Sequence, residues 1–197
     1  MPDGEELRDQ FIEAALRVAA EYGAAGLTVR RVAEAAGSST MGVYSRFGSR
    51  TGMLQALYAR AFAMLREAFD AVPVTERADA DIRALAVAYR RFALQSPARY
   101  AFMFERAVPG FDPGPELRAQ ALRSTFGLLV AVVARAAEQQ RAERGAYLIW
   151  AGMHGMVGIE LTHRDRTELP GWSIAEDWEG VYLDGVRALW TGLGLPD

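Results

Sequence analysis

Residues 34–50 read EAAGSSTMGVYSRFGSR, a glycine turn followed by small residues, a tyrosine and two arginines. A helix-turn-helix needs a small residue where its helices cross, a glycine that can take positive φ in the turn, and a β-branched apolar residue on the second helix. Ala33, Gly37 and Val43 occupy these positions, at offsets of four and ten residues. The stretch therefore predicts a helix-turn-helix whose second helix, about 40–47, enters the DNA major groove.

The residues around this stretch carry a positive charge that the rest of the chain lacks. Between Leu27 and Met53 there are four arginines and one glutamate, whereas the whole chain has a net charge of -3. A local basic patch of this kind is typical of a surface that contacts phosphate groups. A surface helical hairpin whose arginines are simply solvated is the alternative that this pattern leaves open.

The other segments have helical spacing and length, without the sustained alternation that strands show. Thr28 and Ser49 are suitable N-caps for a second and a fourth helix, and Gly37 and Gly48 are stop signals between them. Helices are predicted at 7–22, 29–36, 40–47, 49–71, 79–95, 97–107, 116–138, 144–164 and 174–193.

We therefore expect an all-α protein with two domains. Residues 1–50 form a three-helix DNA-binding domain that contains the helix-turn-helix, and the long fourth helix joins it to a helical bundle at 51–197. The bundle segments are rich in aromatic residues. Periodicity alone does not distinguish a close-packed aromatic core from one that encloses a ligand pocket.

Composition excludes several classes of function. The chain has no cysteine and two histidines, His154 and His163, which lie out of phase on one helix, so we expect no metal and no cofactor. A catalytic nucleophile–base pair is also missing, and Glu160 is a lone acid on an apolar helix, which argues against an enzyme. No apolar run is long enough to span a bilayer, and the N-terminus does not resemble a leader, so we expect a cytosolic protein without membrane contact.

The first 60 residues or so resemble the DNA-binding domain of the TetR family of bacterial transcription regulators. The segment LTVRRVAEAAGSSTMGVYSRFGSRTGMLQAL carries the family's threonine at the start of the second helix, its alanine-glycine turn, and its tyrosine and phenylalanine at the end of the recognition helix. The matching residues are Thr28, Ala33, Ala36, Gly37, Ser39, Tyr44, Phe47, Ser49, Leu54 and Ala56. The run STM-x-VY-x-x-FG, together with SPARYAFMFERAVPGF, resembles a subgroup associated with actinobacteria.

The chain departs from the family pattern where bases are read. Relatives commonly have valine at Ser38, glycine at Met41, histidine at Arg46 and lysine-glutamate at Arg50 and Thr51, so their operators do not transfer to this chain. Phosphate and base contacts are assigned by position on the predicted helices. Phosphate contacts are assigned to Thr28, Ser39, Tyr44, Arg46 and Arg50, and base contacts to Thr40, Met41 and Gly42.

The resemblance implies that the bundle binds a small effector between its helices. Any one of its aromatic residues alone is better explained by core packing, and His154 by a hydrogen bond to a neighbouring side chain. The resemblance favours ligand binding for the set as a whole. Their apolar character suggests a hydrophobic or aromatic effector. The candidate ligand-binding residues are Phe62, Phe69, Phe92, Tyr100, Phe104, Phe126, Trp150 and His154.

The segment YLIWAGMHGMVGIEL is apolar around almost its whole circumference and contains three glycines, which favours close approach of a second backbone. Its Trp150, His154 and Gly155 resemble the W-x-x-x-H-G pattern of one TetR branch, in which the last two helices form a four-helix dimer interface. The resemblance thus implies a homodimeric, ligand-responsive repressor that binds a palindromic operator in double-stranded DNA. The alternative is a helical-bundle interaction module or an enzyme without DNA binding. The predicted interface residues are Gly152, Gly155, Gly158, Trp178, Tyr182, Leu189 and Trp190.

Overall fold

The structure, a computed structural model, describes residues 4–164 and 177–196. Within these ranges the chain is helical and contains no strand, which confirms the predicted all-α class. The helices are α1 Gly4–Tyr22, a 3₁₀ turn Ala24–Gly26, α2 Val29–Ala35, α3 Thr40–Phe47, α4 Arg50–Asp70, α5 Ala78–Gln95, α6 Pro97–Phe104, α7 Pro115–Val133, α8 Gln139–His163 and α9 Trp178–Gly192.

The predicted helix ends are wrong at three places in the second half of the chain. Helix α6 stops at Phe104 instead of continuing to 107, because Arg106 adopts a left-handed backbone with φ 51°. The predicted helix 116–138 ends early at Val133, and α8 starts at Gln139, five residues before its predicted start. The predicted start of the last helix, Ile174, lies outside the described residues.

The chain packs as two compact units. Among the described residues, the first unit comprises 4–64 and 96–121, so it contains α1–α3, most of α4, and α6. Its core includes Phe11, Leu27, Val43 and Leu54, which are fully buried. The rings of Tyr58 and Phe62 on α4, and of Phe102 and Phe104 on α6, pack against one another within this unit.

The second unit comprises residues 65–95, 122–164 and 177–196 of the described chain. Helices α5, α8 and α9 contact one another, and Ile82, Ile149 and Val186 are fully buried. The division of the chain into a DNA-binding domain at 1–50 and an effector domain at 51–197 stays a prediction.

Buried polar groups tie the helices of the second unit together. Arg90 on α5 binds both carboxylate oxygens of Glu160 on α8, each at 2.8 Å, and also the exposed Glu179 at the start of α9. The Glu160 side chain is 2% exposed and the Arg90 side chain 13%. Glu160 is therefore one half of a desolvated ion pair, which accounts for an acid on an otherwise apolar helix.

No helix in the described part of the chain is both long enough and apolar enough to cross a membrane. The same residues contain no cluster of three or more histidine, aspartate or glutamate side chains with the geometry of a metal site.

Candidate nucleic-acid interface

Short-range signals fix the turn between α2 and α3. The Thr28 hydroxyl oxygen accepts the backbone N–H of Arg31 at 3.3 Å and so caps α2. At the other end of α2, the N–H groups of Gly37 and Ser38 donate to Glu34 and Ala33. Gly37 has φ 61°, a conformation that is strained for residues with a Cβ. The predicted cap and turn are confirmed.

Two side chains of α1 hold the C-terminal end of α2. Gln10 donates its Nε2 to the carbonyl oxygen of Ala36 at 3.0 Å, and Arg17 donates its Nη2 to that of Ala35 at 2.9 Å. Both carbonyls belong to the last turn of the helix, where no intrahelical donor reaches them. Sequence reasoning missed both residues, since nothing in the local pattern pairs positions 26 and 18 residues apart.

Helix α3 is attached to the first unit by one face. Val43 is fully buried, and the ring of Phe47 packs edge-on against Phe11 with centroids 6.0 Å apart. Ser39 caps the helix by accepting the N–H of Gly42 at 3.2 Å. A Cβ on Gly42 would lie 3.2 Å from Cζ of Phe11, so this position faces α1. Gly42 was predicted to contact bases, and the structure adds a packing reason for its lack of a side chain.

The opposite face of α3 is open to solvent. Met41 is 73% exposed and Tyr44 46%, and Thr40 and Arg46 are exposed as well. On a helix with 3.6 residues per turn, Ser45 lies beside Met41 on this outward face, and it too is exposed. Ser45 was not predicted as a contact residue, although its spacing of four residues from Met41 was a usable signal.

The four arginines of the basic patch differ in their surroundings. Arg30 forms an exposed ion pair with Glu34 at 2.9 Å, and Arg31 lies over the ring of Tyr22, 4.6 Å from its centroid, while donating to the Gly26 carbonyl. Arg46 is exposed in the last turn of α3, and Arg50 is half-buried at the start of α4. The patch therefore combines arginines paired within the domain with Arg46, which is exposed on the recognition helix, and Arg50 at the start of α4.

Two of the hydroxyl groups assigned to phosphate contacts also cap helices. Thr28 and Ser39 use their oxygens as acceptors in the caps of α2 and α3. A hydroxyl is also a donor, so each can still donate its hydrogen to a phosphate oxygen. Both residues are exposed, as such a contact requires.

The candidate effector residues are divided between the two units. Phe62, Tyr100 and Phe104 belong to the first unit, where they pack with one another. The other five belong to the second unit. Of these, Phe69 and Phe92 are buried, whereas Phe126, Trp150 and His154 are half-buried.

His154 has a partner within its own unit. Its Nδ1 lies 2.9 Å from the hydroxyl oxygen of the buried Tyr89, and its ring lies 5.8 Å from that of Trp150. The hydrogen bond to Tyr89 agrees with a structural role for His154. The side chain is half-buried, so part of it is also exposed to solvent.

The residues predicted for a dimer interface lie on different faces of α8 and α9. Tyr182 and Trp190 are buried in their own unit, and Tyr182 donates its hydroxyl to the Ala86 carbonyl at 3.0 Å. Gly152 allows Leu189 of α9 to approach α8 closely, and Trp178 is half-buried. In contrast, a Cβ on Gly155 or Gly158 would meet no atom within 4 Å. Their role in a dimer stays a prediction.

The fold and the exposed recognition helix define a helix-turn-helix protein that binds DNA. Comparison with known families identifies the class more closely: a family model described as "Bacterial regulatory proteins, tetR family" matches residues 11–57, and one described as "Tetracyclin repressor-like, C-terminal domain" matches residues 82–171. The chain belongs to the TetR family and is a DNA-binding transcriptional regulator, not an enzyme. An enzyme and an interaction module without DNA binding are therefore set aside.

Individual relatives agree with this assignment. An HTH-type transcriptional regulator of Mycobacterium tuberculosis is 26% identical, over 80% of this chain and 81% of that protein. A tetR-family transcriptional regulator from Streptomyces coelicolor has a similar structure, with a TM-score of 0.75 and 19% identity over 98% of this chain and 84% of the other. The transcriptional regulator FadR from Bacillus subtilis, solved in complex with stearoyl-CoA, has a TM-score of 0.72 and 15% identity over 93% and 98% of the two chains.

Proposed function

We propose that this regulator is a homodimeric repressor that binds a palindromic operator and is released from it by a small hydrophobic or aromatic effector. The observation that carries the proposal is the outward face of α3, where Met41, Tyr44 and Ser45 are exposed on a helix anchored by the buried Val43. This is the arrangement in which a short helix can insert into the major groove without losing its own packing. Because its partner is chromosomal DNA, we expect the regulator in the cytoplasm.

On DNA, the two kinds of contact have separate residues. Tyr44, Arg46, Arg50, Thr28 and Ser39 bind phosphates and set the position of the domain on the duplex. Thr40, Met41 and Ser45 face base edges, and the Met41 side chain can touch the methyl group of a thymine. Gly42 lets the helix backbone lie close to Phe11, whose Cζ a Cβ at this position would approach to 3.2 Å.

Exposed apolar residues on the last two helices support a dimer. Tyr147, Ile159 and Val181 are 56%, 50% and 42% exposed, so both helices present large apolar side chains to the solvent. Gly155 and Gly158 lie on α8 with open space in front of them, so a symmetry-related helix can approach its backbone. A two-fold axis through this surface would present two recognition helices to half-sites about 34 to 36 Å apart.

The second unit offers apolar space for an effector. Besides the half-buried Phe126 and Trp150, it contains a cavity of 210 Å³ whose lining is mostly apolar, with Phe69 and Leu85 in its wall and Arg135 among its few polar residues. This volume is below the ~300 Å³ of sites for drug-sized molecules, so the cavity is suited to a small molecule with little hydrogen-bonding capacity.

Helix α4 provides the physical link for release, since residues 50–64 belong to the first unit and 65–70 to the second. An effector that displaces α4 would change the separation of the two recognition helices in a dimer. Nearly complete release requires the effector to prefer the released state by roughly 10⁴-fold.

The test is a gel shift on the DNA upstream of the regulator's own gene, repeated over a salt series and with candidate effectors. We expect a sequence-specific complex, dissociated by a hydrophobic ligand. The Arg46→Ala variant should bind all sequences more weakly and lower the salt slope by about one unit. Arg91→Ala, which removes an exposed arginine of α5, is the matched control and should bind as the wild type does. Loss of operator preference with an unchanged slope would contradict the role given to Arg46.

A further inference from the structure

A groove lies between α5 and α9 of the second unit, away from every residue assigned above to an effector. It consists of two cavities, of 190 and 240 Å³, whose walls share Arg83 and Arg187. The two cavities therefore adjoin at these side chains. Each is smaller than the ~300 Å³ of sites for drug-sized molecules, so only a small anion fits.

Three arginines line the groove and two aspartates hold them. Arg77 binds both carboxylate oxygens of Asp79, through Nε at 3.1 Å and Nη2 at 2.8 Å, and Arg83 reaches the same carboxylate at 3.2 Å. Arg187 pairs with the exposed Asp184 at 2.7 Å. The lining therefore carries one more positive than negative charge, and its cations come from both helices.

Asp79 acts as a fixed anchor for two of these guanidinium groups. Its side chain is only 10% exposed. Burial alone would raise the pKa of the Asp79 carboxyl, but hydrogen bonding and attraction from Arg77, together with Arg83, outweigh it and lower that pKa. The carboxylate is thus ionised near neutral pH and holds Arg77 and Arg83 side by side at the wall of the cavity, which reduces the entropy lost when they bind an anion.

The rest of the groove is apolar. Ala84 and Val87 of α5 and Leu183 of α9 line one cavity, and Trp190 lines the other. Trp190 is 2% exposed and its indole N–H donates to the Pro196 carbonyl at 2.9 Å, so the ring forms a packed wall and offers no hydrogen-bond donor. A guanidinium group next to apolar surface matches a molecule with an anionic head and an apolar body.

We propose that the α5–α9 groove binds a small organic anion, whose single carboxylate or phosphate group lies among Arg77, Arg83 and Arg187 and whose body lies against Val87 and Leu183. The side of α9 that faces the groove is distinct from its exposed apolar face. Arg187 and Val181 are six residues apart, which places them about 120° apart around the helix. Arg187 therefore lies on a different side of α9 from Val181, and the groove contains no residue assigned to DNA contacts.

The test is a titration of the full-length, ¹⁵N-labelled protein, followed by NMR at constant ionic strength. The probes are phenyl phosphate, benzoate and inorganic phosphate. The first two compare a phosphate with a carboxylate on the same aromatic ring, and inorganic phosphate shows how strongly the anionic group binds without an apolar body. We expect saturable shifts of the Trp190 indole and of the arginine Nε–H signals, with half-saturation by the better aromatic probe at about 1 mM or below. Inorganic phosphate should bind at least about tenfold more weakly, because it lacks the apolar body.

Three variants decide whether the arginines form the site. Arg187→Gln removes an arginine whose recorded partner is the exposed Asp184, so it should leave the fold intact and weaken binding about fivefold or more. Arg83→Gln should act in the same direction, and Arg91→Gln, with the same change of charge on α5 but outside the groove, should bind like the wild type. Shifts that grow linearly without saturation, or equal affinities in Arg187→Gln and Arg91→Gln, would show that the groove is only a solvated surface.

Discussion

The helix-turn-helix and the second unit are held together by interactions of different range. Around the turn, the side-chain caps of α2, α3 and α4 each join residues three positions apart. In the second unit, the side-chain bonds that join helices connect residues far apart in the sequence: Arg90 with Glu160 is separated by 70 positions and Tyr182 with Ala86 by 96. The caps around the turn follow from short sequence patterns. The bonds between helices of the second unit form only when the whole unit has packed.

This difference matches what each region does. A recognition helix must expose most of its surface to DNA, so α3 has one fully buried side chain, Val43, and depends on its caps and glycines. Helix α8 has seven buried residues, including the charged Glu160, and contacts both α5 and α9. Single changes on α3 should therefore alter binding more than stability, and changes inside the second unit should do the reverse.

The largest effect is expected for Glu160→Gln. Removing the buried carboxylate leaves the half-buried Arg90 without its bidentate partner, which should lower the free energy of unfolding by about 3–5 kcal/mol. Glu179→Gln is the matched control, because Glu179 binds the same guanidinium from a side chain that is 62% exposed. That change should cost about 1 kcal/mol or less. Urea unfolding measures both, and equal losses would contradict the importance of the buried pair.

The fold could be predicted from the sequence where signals are local, and less well elsewhere. Thr28, Ser39 and Ser49 were readable as caps or family matches, and Gly37 and Gly48 as stops, so α2 and α3 lie where predicted. Helix α7 ends earlier than its apolar pattern suggests. Arg135, just beyond its end, binds Asp81 and the Thr75 carbonyl, both of which are distant in sequence. The hydrophobic periodicity of the sequence does not predict such a contact, because the contact depends on which helices become neighbours in the fold.

A second prediction concerns the apolar surface of α8 and α9. Val181→Glu would place a charge in the proposed dimer interface and should weaken association by at least about 2 kcal/mol, roughly thirtyfold. Val74→Glu makes the same change at a valine that is 82% exposed and lies away from these helices. Sedimentation measures the dimer of each. If both variants dimerise like the wild type, the interface lies elsewhere.

The pH dependence of stability separates long-range carboxylate bonds from the hydroxyl caps of α2, α3 and α4, which do not titrate in this range. Burial alone would raise the pKa of Asp81, but hydrogen bonds from Thr75 and Arg135 outweigh it and lower that pKa. A carboxyl whose folded pKa lies below its unfolded value of about 3.9 stabilises the fold above that pH, and this stabilisation is lost as the pH falls through the folded pKa.

Asp81→Asn should therefore cost about 1.5 kcal/mol at pH 7, where the ionised carboxylate accepts these bonds. The difference from the wild type should shrink as the pH is lowered through about 4 towards 3. Urea midpoints over this range measure it, with Asp184→Asn at an exposed ion pair as the control. A difference that stays constant with pH would show that ionisation of Asp81 does not contribute.

The DNA contacts were only partly predictable, for a physical reason. The positions that fix the helix in place, such as the buried Val43 and the positive-φ Gly37, are restricted by packing and backbone conformation. The exposed positions on α3 have no such restriction, so their residue types are harder to interpret. Ser45 was missed although its spacing of four residues from Met41 places both on one face, since no packing constraint drew attention to it. The outward direction of Met41 does not determine which base it meets.

The smallest effect is expected within α3 itself. Met41→Ala removes an exposed apolar side chain, so it should leave stability nearly unchanged and reduce the preference for one operator base pair by about 1 kcal/mol. Its salt slope should equal that of the wild type, because no phosphate contact is lost. Arg46→Ala should show the opposite pattern, with a lower slope and an unchanged order of preferred sequences. Competition gel shifts with single base-pair variants of the operator measure both. If the two variants change slope and preference alike, phosphate anchoring and base reading are not separable on this helix, and its exposed residues act as one contact surface.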